Sequence, residues 1–135
     1  MKIALLACAA SLALPAAASA SHSVGTSSQI AWVRTATTRF VTAELKRDPS
    51  EACAVLTVQQ RGTIHNRTCE QRWNAKIATM LHEQGERALL EADRHAISKA
   101  VVVVHGNIAS IELPTPLLNG SNELVWTENC WMVKG

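Results

Sequence analysis

The sequence lacks the short motifs that mark many catalytic sites. It has no G-x-S-x-G motif, no glycine-rich phosphate loop and no C-x-x-C pair. His82-Glu83 does not begin an H-E-x-x-H motif, because the second histidine is absent. The chain also has little excess charge of either sign, because 13 Lys+Arg and 11 Asp+Glu give a formal net charge of +2 over 135 residues. A near-neutral chain with mixed charges gives no reason to expect a nucleic-acid partner or an anionic membrane surface.

Long apolar runs are missing except at the amino terminus. There, Lys2 precedes an Ala- and Leu-rich stretch over 3–14, and Ala18-Ser19-Ala20 is a small-x-small cleavage site. The stretch is shorter than the roughly 20 residues that span a bilayer. We therefore predict an export signal over 1–20 and a secreted protein; a retained membrane anchor is the alternative. Cys8 has too short an apolar run before it to be a lipid-attachment site.

The remaining length fits one domain. Residues 21–28 are small and polar and predict a flexible leader, and 29–134 form a single domain. Apolar residues recur at helical spacing from Ile30 to Leu45, which predicts a long amphipathic helix that ends near residue 47. A second long helix is predicted over 69–89, where Gly85 either weakens the helix or ends it.

A short helix is predicted between the two long ones. Asp48-Pro49-Ser50-Glu51 combines a capping aspartate, a proline in the first turn and a glutamate that completes a capping box. Thr57 is expected to cap one further turn, which Gly62 ends.

From residue 97 onward the pattern changes from helical spacing to the alternation of strands. Strands are predicted over 97–104, 109–113, 123–127 and 130–133, with turns at 105–107 and 128–129. Helices followed by strands predict an α+β domain, with helices (one long, one short, one long) packed on an antiparallel sheet of about four strands.

The cysteines fit an exported protein. Cys53 and Cys69 lie at the edges of two predicted helices across one short connection, so we predict a disulfide between them that contributes about 3 kcal/mol. Cys130 is then left over in the mature chain. A buried, inert thiol is the favoured interpretation, and pairing between two chains is the alternative.

The order of these elements resembles the nuclear transport factor 2-like family, and within it small exported actinobacterial proteins. The resemblance rests on Ala52-Cys53-Ala54-Val55-Leu56-Thr57 with Arg61 and Cys69, and on Trp131-Met132-Val133 in the last predicted strand. It covers roughly residues 29–134. It implies a cone in which a curved sheet wraps the long helix and leaves a pocket at the mouth. Cys130 departs from the Gly or polar residue expected before the tryptophan.

Few residues suggest chemistry. His82 and Glu86, four apart on a helix, could hold a divalent ion, but a solvated polar face is favoured, and no metal or cofactor is expected. Asp93 and His95 are the best candidates for an acid/base pair. They are weak candidates because they lie only two residues apart in a predicted connection. Enzymes of the resembled family often add Tyr hydroxyls, and this chain has no Tyr. His65 and His105 are expected at the surface.

The aromatic residues are the remaining candidates. Core packing is the favoured interpretation of the tryptophans, and the alternative is that Phe40, Trp73, Trp126 and Trp131 line a pocket or an interface. Trp32 lies near the start of the first helix. We expect a secreted, non-catalytic module that binds a small apolar ligand or a protein partner. A homodimer through the open sheet face or Cys130 ranks second, and a small hydrolase or isomerase that uses Asp93 ranks third.

Overall fold

A computed structural model describes residues 23–80, 84–114 and 122–134, and this part of the chain is α+β. The predicted order, helices first and an antiparallel sheet after them, is confirmed. The helices are α1 (Ser27–Leu45), α2 (Pro49–Ala54), α3 (Val58–Arg61), α4 (Cys69–Met80) and α5 (Gln84–Ala96), followed by a 3-10 turn over Ile97–Lys99. The strands are β1 (Val102–His105), β2 (Ile108–Ile111), β3 (Glu123–Thr127) and β4 (Cys130–Val133).

The four strands form a meander in the order β1-β2-β3-β4, with every neighbouring pair antiparallel. Both predicted tight turns are present. Gly106 turns β1 into β2 with φ +58°, and Glu128 and Asn129 turn β3 into β4 with φ of 53° and 61°. Two consecutive residues of positive φ give a hairpin turn whose twist matches that of the strands.

One face of the sheet, here called the inner face, packs against α1. Cross-strand pairing places alternate residues of each strand on this face, including Val102 opposite Ile111 and Leu124 opposite Val133. All four are buried, as are Val33 and Phe40 of α1. Burial of this apolar area supplies the main favourable term in folding. The inner face comprises Val102, Val104, Ala109, Ile111, Leu124, Trp126, Trp131 and Val133.

The second half of the helical region differs from the prediction. α4 ends at Met80, and α5 continues to Ala96, beyond the predicted end at residue 89. The first strand therefore begins at Val102, and the prediction of strand over 97–101 was wrong. Leu90, Asp93 and Ile97 are all buried at spacings of three and four, which is a helical stripe that the acidic residue hid in the sequence.

The helix starts show which caps form. Asp48 accepts a hydrogen bond from the N–H of Glu51 at 3.1 Å, as predicted, but the Glu51 carboxylate pairs with Arg39 at 2.7 Å. A complete capping box lies instead at the start of α1, between Thr26 and Gln29. Sequence analysis missed it, although Thr-Ser-Ser-Gln has the required spacing.

Part of the predicted leader contacts the sheet. The N–H of Val24 donates to the carbonyl of Val102, and its carbonyl accepts from Val104, both at 2.8 Å. Ser27 and Ser28 already belong to α1. At the opposite edge of the sheet, Leu56 forms a similar bridge to Val133 of β4.

The predicted Cys53–Cys69 disulfide is confirmed, with an S–S distance of 2.07 Å. It joins α2 to the first residue of α4. Cys130 is buried and is itself disulfide-bonded, so its interpretation as an inert thiol was wrong.

The loop that the Cys53–Cys69 disulfide encloses is held by Arg72. Its guanidinium donates to the carbonyl oxygens of Gln60, Gly62 and Arg67. Between the last two lies a tight turn in which Ile64 and Arg67 exchange two backbone hydrogen bonds of 3.0 Å. Because three carbonyl groups converge on one side chain, the loop has a single fixed backbone path although residues 62–68 are exposed.

Candidate functional site

Three tryptophans from distant parts of the chain meet where the start of α1 crosses the last hairpin. Trp32 of α1 stacks on Trp126 of β3, with ring centroids 5.9 Å apart and planes 20° apart. Trp126 in turn meets Trp131 of β4 edge to face, at 5.5 Å and 64°. Both geometries are the favourable arrangements for aromatic pairs. We call Trp32, Trp126 and Trp131 the tryptophan cluster.

The cluster runs from solvent to core. Trp32 is 37% exposed, Trp126 is partly buried and Trp131 is 4% exposed. Strand register explains the sheet half, because Trp126 and Trp131 are directly opposite on the inner face. On α1, Ala36 lies one turn beyond Trp32 on the same side and is buried. The cluster therefore presents a partly exposed indole on a rigid support.

One polar atom of the cluster is unused. The indole Nε1 of Trp131 is buried and has no hydrogen-bond acceptor among the described residues. A buried donor without a partner costs about 1–3 kcal/mol. Most buried polar side-chain atoms are paired in folded proteins, so this donor is available to a further acceptor.

The side chains one turn away from Trp32 on α1 carry no charge; they are Ser28, Gln29, Thr35 and the buried Ala36. The next position on that side is Arg39, which pairs with Glu51. On the sheet, the exposed residue Asn107 lies beside Trp126, whose N–H donates to its carbonyl at 2.8 Å. The patch is thus aromatic with an uncharged, hydrogen-bonding rim.

The four predicted aromatic candidates separate into two groups. Trp126 and Trp131 belong to the tryptophan cluster, whereas Phe40 and Trp73 pack edge to face at 5.3 Å in the buried core. Lys76 lies over the Trp73 ring at 5.9 Å. Trp32, which the sequence analysis did not include among the candidates, provides the exposed part of the site. The position of Trp32 in the sequence does not show that its ring would stack on a residue of β3.

The acid/base candidates are not brought together. Asp93 lies within α5 rather than in a connection, and it is fully buried. His95 is exposed and lies two residues along the same helix. His65, in a turn, and His105, the last residue of β1, are also exposed. Side chains two apart on a helix point to different sides. Asp93 and His95 therefore do not share one site.

The metal candidate cannot be placed in the same way. His82 lies outside the described residues; Glu86 is in the first turn of α5. Across the described ranges, no group of three or more His, Cys, Asp or Glu is arranged to hold a metal ion. In those ranges, none of the helices has the length and apolar character needed to cross a membrane.

Comparison with protein-family models, with curated proteins and with solved structures finds no match to this chain. The resemblance to the nuclear transport factor 2-like family accordingly stays a prediction from the sequence.

Proposed function

We propose that this protein is a secreted, non-catalytic binding module that docks its ligand on the tryptophan cluster. The observation that carries the proposal is the stack of the partly exposed Trp32 on Trp126. An exposed tryptophan offers a large, flat contact area with few rotatable bonds, so little conformational entropy is lost when a ligand covers it. Tryptophan is enriched among the residues that dominate binding energy for the same reason.

The resemblance implies a pocket at the mouth of a cone formed by the long helix and the sheet. Trp32 lies in the second turn of that helix, α1, stacked on Trp126 of the sheet. We propose that the cluster forms one wall of that mouth. Secretion is supported by the Cys53–Cys69 disulfide, because disulfides persist in oxidising compartments outside the cytosol.

The enzyme alternative has no comparable support. Its best acid/base residue, Asp93, is fully buried among core residues, and His95 is exposed on the same helix. A general base must reach the proton of a bound substrate, and neither residue contributes to the tryptophan cluster. We therefore rank catalysis below binding.

Self-association is the second candidate. On the outer face of the sheet, Ile108 is 51% exposed and pairs across the strands with the partly buried Val125. Exposed apolar side chains in a row are typical of protein interfaces. Light scattering of the wild type and of Ile108→Glu tests this candidate, because a dimer that uses this face should dissociate in the variant.

The binding proposal is tested with the uncharged apolar dye N-phenyl-1-naphthylamine as the probe. We expect the folded protein to bind the dye and Trp32→Ala to lower its affinity about tenfold. Leu89→Ala is the matched control, since Leu89 is an exposed apolar residue of α5 with 43% exposure. Equal binding by both variants, with wild-type circular dichroism, would contradict the proposal.

A further inference from the structure

We infer that the ligand of the tryptophan cluster is an uncharged sugar ring of a glycan. This inference rests on the proposed binding function and narrows it to one ligand class. Its basis is the combination of a partly exposed indole with a rim of hydroxyl and amide groups, without an unpaired charge among the neighbours of Trp32 on α1.

A sugar ring has two kinds of surface. Its faces carry C–H groups, whose partial positive charge suits the negative face of an indole, and its rim carries hydroxyls that donate and accept hydrogen bonds. The Trp32 ring meets the first requirement. Ser28, Thr35 and Asn107 supply hydroxyl and amide groups for the second, and all three are exposed.

Charge argues against an anionic ligand. Arg39, the nearest cation along this side of α1, donates to Glu51 through both Nε and Nη2, at 2.9 and 2.7 Å. Arg61 is likewise paired with Glu128 at 3.1 Å. A phosphate or carboxylate ligand would need an available cation, because a charge that loses its water must be paired.

The stacking geometry argues against a proline-rich peptide. Such peptides bind in grooves between aromatic side chains. Here Trp32 and Trp126 lie on one another with planes 20° apart, so they form a platform rather than the two walls of a groove. The Trp131 ring meets Trp126 edge to face behind this platform and supports it.

The test is isothermal titration of the secreted protein with three uncharged hexasaccharides, maltohexaose, cellohexaose and mannohexaose, and with an acidic hyaluronan hexasaccharide. We expect at least one uncharged sugar to bind and to change tryptophan fluorescence. Trp32→Ala should weaken that binding at least tenfold, Trp32→Phe should weaken it less because a ring remains, and Leu89→Ala should leave it unchanged.

The outcomes separate this inference from the function on which it rests. If no uncharged sugar binds but the dye binds and depends on Trp32, the sugar inference is wrong and the binding module stands. If neither sugar nor dye depends on Trp32, both proposals are wrong. Tighter binding of the acidic sugar than of every uncharged one would overturn the inference, as would sugar binding that Trp32→Ala leaves intact.

Discussion

Gly25 lies so close to Val104 that a β-carbon on Gly25 would stand 3.1 Å from the Cβ of Val104. Gly25 also has φ +136°, a conformation that other residues rarely adopt. Gly25→Ala should therefore destabilise the protein by about 2 kcal/mol through crowding and backbone strain. Gly85→Ala is the control, since nothing surrounds its position in α5 and it should stabilise by about 0.5 kcal/mol. Urea unfolding measures both; equal midpoints would contradict this account.

Phe40 should be among the residues most sensitive to truncation. Its ring is fully buried and packs edge to face on Trp73 at 5.3 Å. Phe40→Ala removes these contacts and leaves a cavity, which costs about 3–5 kcal/mol in comparable cores. Thermal unfolding followed by circular dichroism measures the loss. A change below about 1 kcal/mol would show that Phe40 lines an open site rather than the core.

The two tryptophans of the stack should differ in their contribution to stability. Trp126→Ala removes aromatic contacts to both Trp32 and Trp131, each worth about 0.5–1.5 kcal/mol beyond the area buried, whereas Trp32→Ala removes one. We expect Trp126→Ala to lower the free energy of unfolding by at least 1 kcal/mol more than Trp32→Ala does. Urea denaturation of the two variants decides, and a larger loss for Trp32→Ala would count against the described stack.

The Cys53–Cys69 disulfide should stabilise the folded state by about 3 kcal/mol, because it closes a loop of 16 residues in the unfolded chain. The double variant Cys53→Ser/Cys69→Ser avoids leaving a new free thiol. Its unfolding midpoint is compared with that of the wild type without reductant. Identical midpoints would mean that the bridge constrains nothing.

Arg72 should protect the loop within the disulfide from cleavage. Arg72→Ala releases the carbonyls of Gln60, Gly62 and Arg67, at a cost of about 1–2 kcal/mol, and Arg72→Lys should restore little because one ammonium cannot reach all three. We expect trypsin to cut after Arg67 faster in both variants. Lys76→Ala, one turn along α4, is the control and should keep the wild-type rate.

Local signals predicted those parts of the fold that depend on neighbouring residues. Asp48 and Pro49 define the start of α2, and the positive φ values of Glu128 and Asn129 lie within the turn predicted at 128–129. The disulfide followed from the positions of two cysteines at helix ends. In each case the energy that decides the structure comes from within a few residues or from one covalent bond.

The parts that could not be predicted depend on tertiary packing. The end of α5 was missed because Asp93 is acidic yet fully buried, so the apolar stripe looked interrupted. The tryptophan cluster joins Trp32 to Trp126 only because α1 crosses the sheet near its start. Nothing in either local sequence marks the other as a partner, and this is why the exposed half of the site was not among the predicted residues.

The bridges of Val24 and Leu56 have a consequence for the behaviour of the protein at high concentration. They occupy backbone groups on the outward sides of β1 and β4, where an unprotected strand would recruit a strand from another molecule. Val24 bonds to β1, and Val55 and Thr57 on either side of Leu56 bond to β4, so these few residues oppose edge-to-edge growth of sheets into aggregates. Both edges of the sheet thereby gain resistance to amyloid-like pairing with another molecule.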